Sequence, residues 1–233
     1  MRLDKYLSTY ADLTRSQAKR ALHAGEVTCN GEPIRNPGFK VSADDHISLD
    51  GMPLDPAGER YLMLHKAEQT VCSHVDDGHM SIFSLMEITR PDKLHVAGRL
   101  DADTTGLVLI TDDGQWSHAI TSPKRACQKR YRVWLAEALT EQACLQLQQG
   151  VMLHGEEHPT RPAVVEKVAE SECLLTISEG KYHQVKRMMA AVGNKVVALH
   201  REQIGAIELD EELEPGEWRY LTPEEVASVE KRS

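Results

Sequence analysis

Between Gly98 and Gly106 the chain reads Gly-Arg-Leu-Asp-Ala-Asp-Thr-Thr-Gly, which sets one cation, two carboxylates and two hydroxyls between bracketing glycines. The apolar run Leu107-Val-Leu-Ile110 follows at once. An ionised aspartate in such a loop has two chemical uses: it can attack an electrophilic carbon, or it can accept a proton. The run behind it has the composition of a buried strand, and a loop anchored on a strand is held firmly while its side chains stay accessible. Residue types alone equally describe an Asx turn whose hydroxyls satisfy the backbone.

Two further segments carry chemistry-bearing groups. Lys129-Arg-Tyr131-Arg-Val opens a β-type run; its tyrosine can pack a core, stack on a base or relay a proton. Glu179-Gly-Lys-Tyr-His183-Gln184-Val-Lys186-Arg187-Met-Met follows the strand pattern Cys173–Ile177 and enters a helical one. Cations there meet a helix N-terminus, and both features favour anions. A third stretch, Trp116-Ser-His-Ala-Ile-Thr-Ser-Pro-Lys-Arg125, is rich in hydroxyls and cations and is read as lining the path of a polyanion.

The elements that must position these groups are legible from period and punctuation. Thr14-Arg-Ser-Gln17 fits a capping box, Ala18, Ala21 and Leu22 share a helical side, and Gly25 stops the helix. Its other side carries Arg15, Lys19 and His23 at spacings of four, with Arg20 beside them, a cationic stripe suited to phosphate. Asn30-Gly31 between Val27–Cys29 and Glu32–Ile34 predicts a tight hairpin, and Lys40–Leu49 a further strand. Pro53–Gly58 has linker composition. Beyond it, strand patterns at Arg60–Leu64, Leu107–Thr111, Tyr131–Leu135 and Cys173–Ile177 alternate with helical ones at Trp116–Ile120, Glu141–Gln149 and His183–Val192. A last helix follows Thr222-Pro-Glu-Glu225. The expected fold is α+β with a mostly antiparallel mixed sheet, divided into a small domain (1–52), a linker (53–59) and a larger domain (60–233).

At 233 residues and 41% hydrophobic content the chain can bury a substantial core. It has neither a secretory leader nor a membrane-spanning run, so a cytoplasmic protein is expected. Its five cysteines are scattered and without metal-ligand spacing, which predicts reduced thiols and no metal. A net charge of -9 argues against indiscriminate nucleic-acid binding. Basic residues nevertheless gather at 15–20, 124–132 and 181–201, which permits a basic face on an acidic body.

Arg2-Leu-Asp-Lys-Tyr-Leu, Thr14-Arg-Ser-Gln-Ala and Gly25-Glu-Val-Thr-Cys-Asn-Gly together resemble the S4 RNA-binding domain. Gly98-Arg-Leu-Asp with Thr-Thr-Gly-Leu resembles the catalytic motif of the pseudouridine synthases that include the RsuA and RluA families. The runs Leu107–His118, Leu175–Met188 and Leu199–Gly205 extend the resemblance, specifically to the RsuA family, over essentially the whole chain. The resemblance implies an isomerase acting on a uridine of small-subunit (16S) ribosomal RNA or an assembly intermediate. Such a reaction involves no redox change or group transfer, so no cofactor and no metal are expected, and since nothing in the sequence calls for self-association a monomer is expected. A large-subunit RNA target and a non-catalytic RNA-binding assembly factor are the alternatives. It makes Asp101, Tyr131 and Lys186 catalytic, with Arg187 a possible substitute for Lys186 as partner of the aspartate. Arg99 lies close to the displaced base, and His183 and Gln184 orient the loop or touch substrate. Arg2, Arg15, Lys19 and Arg20 grip RNA. Asp103, two residues from Asp101, is expected to point to the opposite side of an extended segment and to be structural.

Overall fold

The computed structural model describes the chain except residues 12, 43–44, 55–57 and 231–233. Two compact units emerge, Met1–Arg60 with Glu87–Leu94, and Tyr61–Met86 with His95–Ser233.

The first unit begins with helix α1 (Leu3–Tyr10), an element not among those expected above. Leu3, Tyr6, Leu7 and Tyr10 fall on one side of it and are all buried, the spacing of a core-facing helix. Helix α2 (Arg15–Ala24) packs into the same core through Ala18, Ala21 and Leu22, and its capping box is complete: Thr14 accepts from the Gln17 amide while Gln17 accepts from that of Thr14. Strands β1 (Val27–Cys29) and β2 (Glu32–Pro33) pair across Asn30-Gly31, both at positive φ (53° and 86°), the geometry that lets a two-residue hairpin turn follow the twist of its strands. With β3 (Ile47–Leu49) and β4 (Met52–Pro53) they form a sheet ordered β2-β1-β3-β4. The strand expected over 40–49 is thus shorter. Lys40 makes an isolated bridge to Arg2, and residues 43–44, like residues 55–57 of the expected linker, lie outside the described residues. Arg60 is buried, not the first residue of a strand; its guanidinium donates to the carbonyls of Thr89 (2.7 Å) and Arg90 (3.1 Å), which joins Glu87–Leu94 to this unit.

The second unit carries β5 (Tyr61–Lys66), a short parallel pair β6 (Thr70–Val71) and β7 (Met80–Ser81), helix α3 (Ile82–Leu85) and β8 (His95–Val96). Next come β9 (Thr104–Thr111), α4 (Gly114–Thr121), β10 (Lys129–Leu135), α5 (Glu141–Gln149), β11 (Val164–Ala169), β12 (Glu172–Ile177) and α6 (Gln184–Ala191). The last elements are β13 (Val196–Ile204), β14 (Ile207–Glu208), β15 (Trp218–Tyr220) and α7 (Pro223–Glu230). Among the described residues nine strands form one mixed sheet, with the path β11-β12-β10-β13-β9-β5-β15 and β8 and β14 at its side. The pairings are antiparallel except for β9 with β13, where Leu199, His200 and Arg201 lie opposite Thr104, Thr105 and Gly106, so the α+β expectation holds. Trp116 anchors the core on one side of this sheet with Met63, Leu107, Leu109 and Ile120. Its indole N–H donates to the Val226 carbonyl at 3.1 Å. Of the hydroxyl-rich stretch at 116–125, Trp116, Ser117 and Ile120 are buried, whereas His118, Thr121, Lys124 and Arg125 are exposed, and Thr121 lines the cleft described next.

Candidate active site

Lys186 occupies the first turn of α6 and reaches the loop that leads into β9. Its ammonium donates to Asp101 Oδ2 at 2.8 Å and to Asp103 Oδ1 at 2.6 Å. Of the two cations considered for the aspartate, this is the one that meets it. Arg187 turns away and donates to Glu156 (3.2 Å) and to the carbonyls of Tyr182 (3.0 Å) and His154 (2.7 Å). The expectation for Asp103 is corrected here. Residues 101–104 form a turn closed by the Thr104 amide on the Asp101 carbonyl (3.1 Å), so the alternation of an extended segment does not apply and both carboxylates converge on one ammonium. Burial opposes the charge on Lys186, but hydrogen bonds to Asp101 and Asp103 outweigh it and its pKa is raised. The Lys186 hydrogen bond holds the Asp103 carboxyl below the ordinary carboxylate range.

His183 caps α6 in the left-handed region, φ 46°, a conformation costly for a residue with a Cβ and concentrated at functional sites. Its Nε2 lies 3.2 Å from Asp101 Oδ1. Gln184 is buried and fully employed within the loop, accepting from the Lys181 amide and donating to Glu179, each at 2.8 Å.

Two buried cations that residue types alone did not single out hold the aspartate loop from beneath. Arg201, 1% exposed on β13, donates through Nη2 to the Gly98 carbonyl (2.6 Å), through Nε to the Leu107 carbonyl (2.8 Å) and through Nη1 to the Tyr131 hydroxyl (3.3 Å). Lys66 donates to the carbonyls of Thr104 (2.8 Å), Ala67 (3.1 Å) and Ala102 (3.3 Å), and burial lowers its pKa. The loop is thus pinned at its start, middle and end by donors that have no acceptor of their own. Arg201 had been visible only as the end of a basic segment. The available signal was its place two residues after Leu199 in a strand, the inward-facing register.

Tyr131 and Lys129 share the buried face of β10, and Arg201 lies opposite Tyr131 across the β10–β13 pairing. Burial lowers the pKa of Lys129, whose ammonium donates to the Cys127 carbonyl at 3.1 Å. These groups line a cleft of about 660 Å³, within the range of sites that enclose small ligands. Tyr131, Leu199 and Arg201 are its buried floor. Arg99 is exposed at its edge and makes no hydrogen bond to a described residue. In the first unit Arg15, Lys19 and Arg20 are exposed on α2, whereas Arg2 is held by Asp4 through two hydrogen bonds of 3.0 and 2.8 Å.

A mixed sheet that presents an aspartate–lysine pair over a tyrosine-floored cleft, in a chain that also carries a helix-and-hairpin RNA-binding module, has the parts of an RNA-modifying enzyme. The chain belongs to the RNA pseudouridylate synthase family, whose model matches residues 60–191; an S4 domain matches residues 1–47. It is accordingly an isomerase. It is 52% identical over 231 residues to the ribosomal small subunit pseudouridine synthase A of Vibrio cholerae, covering 99% of this chain and 100% of that one. It is 50% identical over 230 residues to the enzyme of the same name from Escherichia coli, covering 98% and 100%. A crystal structure of a pseudouridylate synthase, 47% identical, superposes with a TM-score of 0.71 over 98% of this chain and 99% of that one.

Proposed function

We propose that this protein converts a uridine of small-subunit (16S) ribosomal RNA, free or in an assembly intermediate, into pseudouridine, with Asp101 as the reacting group. The observation that carries the reading is the carboxylate of Asp101 held between Lys186 and His183 at the cleft that Tyr131 floors. The base must leave its ribose through nitrogen and return through carbon. Attack at the sugar and removal of a sugar proton both require an ionised carboxylate facing it. Lys186 pairs with the Asp101 carboxylate and aims it. Tyr131 stacks on the extruded uracil, Arg99 fills the space the base vacates, and His183, Gln184 and Arg187 shape the loop around the nucleotide. No electrons and no external group are exchanged, so this chemistry calls for neither an organic cofactor nor a metal. Extrusion costs a few kcal/mol, less where the RNA is already irregular.

In this reading the first unit grips the RNA and the second catalyses. Arg15, Lys19 and Arg20 carry the grip with Arg2, whose charge is shared with Asp4. The enzyme works as a monomer in the cytoplasm. Full-length target choice is supported by the names of relatives that match this chain from end to end. Asp101→Asn keeps the side chain's size and removes its charge; it is expected to bind ribosomal RNA normally and to form no pseudouridine above background. Turnover retained in that variant would overturn the assignment, and modification mapped to large-subunit RNA in a deletion strain would redirect the target.

A further inference from the structure

Tyr182 is the most unusual side chain at the cleft. It is 76% exposed, although tyrosines ordinarily bury their rings, and its hydroxyl makes no hydrogen bond to a described residue. It is nevertheless not without contacts. One face stacks on His183, centroids 3.8 Å apart and planes 21° from parallel. Its carbonyl accepts from Arg187, which Glu156 and the His154 carbonyl hold in turn. The ring lines the cleft and is otherwise largely open to solvent. Tyr131 and Tyr182 line the same cleft, one 8% exposed on its floor and the other at its rim.

We propose that the open face of Tyr182 is a second base-binding subsite, which stacks on the nucleotide next to the target uridine in the substrate RNA. This rests on the reading of the Tyr131 floor as the place of the extruded uracil. Swinging one base out of a strand strips its neighbour of a stacking partner, and an aromatic face held at the rim replaces that partner. Because every base has a π-face, the subsite accepts purines and pyrimidines alike and contributes affinity without reading sequence. The stack on His183 already restricts the ring, so less freedom is lost when a base lands on it. Through His183 the stack is in register with Asp101, 3.2 Å from the imidazole.

The test uses the full-length protein and a ribosomal RNA transcript that contains the mapped uridine, with binding and single-turnover conversion measured separately. Tyr182→Ala and Tyr182→Leu are expected to weaken RNA binding roughly 5- to 150-fold, the range for loss of one base–aromatic stack. The loss falls on Kd and KM, not on the rate at saturating RNA. Tyr182→Trp restores binding. Removing the base of the flanking nucleotide reproduces the loss in wild-type protein and erases the difference between Tyr182 and its alanine variant. Unchanged affinity in Tyr182→Ala would overturn the proposal. So would a leucine variant that binds like wild type, a full alanine effect on the abasic RNA, or a loss confined to the saturated rate, which would make Tyr182 a mere support for His183. If wild-type protein bound every such RNA without forming pseudouridine, the functional reading would fall, while the binding comparison would still decide the subsite.

Discussion

Lys186 serves two carboxylates with one ammonium, and this shapes the residue-scale chemistry of the cleft. Its bond to Asp103, 2.6 Å against 2.8 Å for Asp101, gives Lys186 an anchor that does not depend on Asp101. Beneath them Arg201 decides which way the tyrosine hydroxyl points. A guanidinium only donates, so the Tyr131 oxygen accepts from it and the phenol's own proton must point elsewhere. Arg201→Lys cannot reproduce three divergent donors. It is expected to lower stability by about 2 kcal/mol through the carbonyls left unpaired and to reduce the single-turnover rate. The distinguishing readout is a double-mutant cycle with Tyr131→Phe. Coupling in the rate above about 0.5 kcal/mol supports a positioning role; strictly additive losses would reduce Arg201 to a core residue.

Among the elements, the parallel pairing of β9 with β13 is what brings Arg201 under the aspartate loop. That pairing depends on Gly106, at φ 106° and opposite Arg201, where a Cβ would overlap the Arg201 backbone carbonyl. Gly106→Ala therefore meets both a disfavoured backbone conformation and a rigid obstacle. A stability loss on the order of 3 kcal/mol or more is expected, visible as a lower urea midpoint. A variant as stable as wild type would show that the close approach of the two strands is not required. Local patterns had predicted α2 with its capping box, α5 with its bounds and the hairpin at Asn30-Gly31, because caps, period and turn chemistry act within a few residues. α1 was missed and Asp103 misjudged for different reasons. The apolar spacing of Leu3, Tyr6, Leu7 and Tyr10 is itself helical but lacks a capping signal, and the turn closed by Thr104 on Asp101 sets aside the alternation assumed for Asp103.

For the whole molecule, a net charge of -9 must be reconciled with a polyanionic substrate. Exposed cations concentrated on α2 answer this if they carry the grip. Neutralising Arg15 and Lys19 together is then expected to weaken RNA binding and to flatten the slope of log K against log salt by roughly 1.5, two phosphate contacts' worth on a single strand; an unchanged slope would remove α2 from the interface. Acid stability follows from the paired carboxylates. Lys186 depresses the pKa of Asp103 and Arg219 that of Glu225, so both titrate lower in the folded chain than in the unfolded one. Their contribution is complete above the unfolded value of about 4 and is lost as the pH falls through the folded values. Asp103→Asn should flatten the decline of the urea midpoint below pH 4, and an unaltered decline would mean the pair adds nothing to stability. Residue order was enough to read the helix caps, the strand runs, the loop of candidate aspartates and the resemblance to a family, all of which are written in short stretches of chain. The choice of Lys186 over Arg187, the convergence of Asp103 and the two buried cations under the loop required the tertiary structure. Arg201 reaches Gly98 across 103 positions and Lys186 reaches Asp101 across 85, and contacts over such separations are set by how strands pair and helices pack, which no local period encodes.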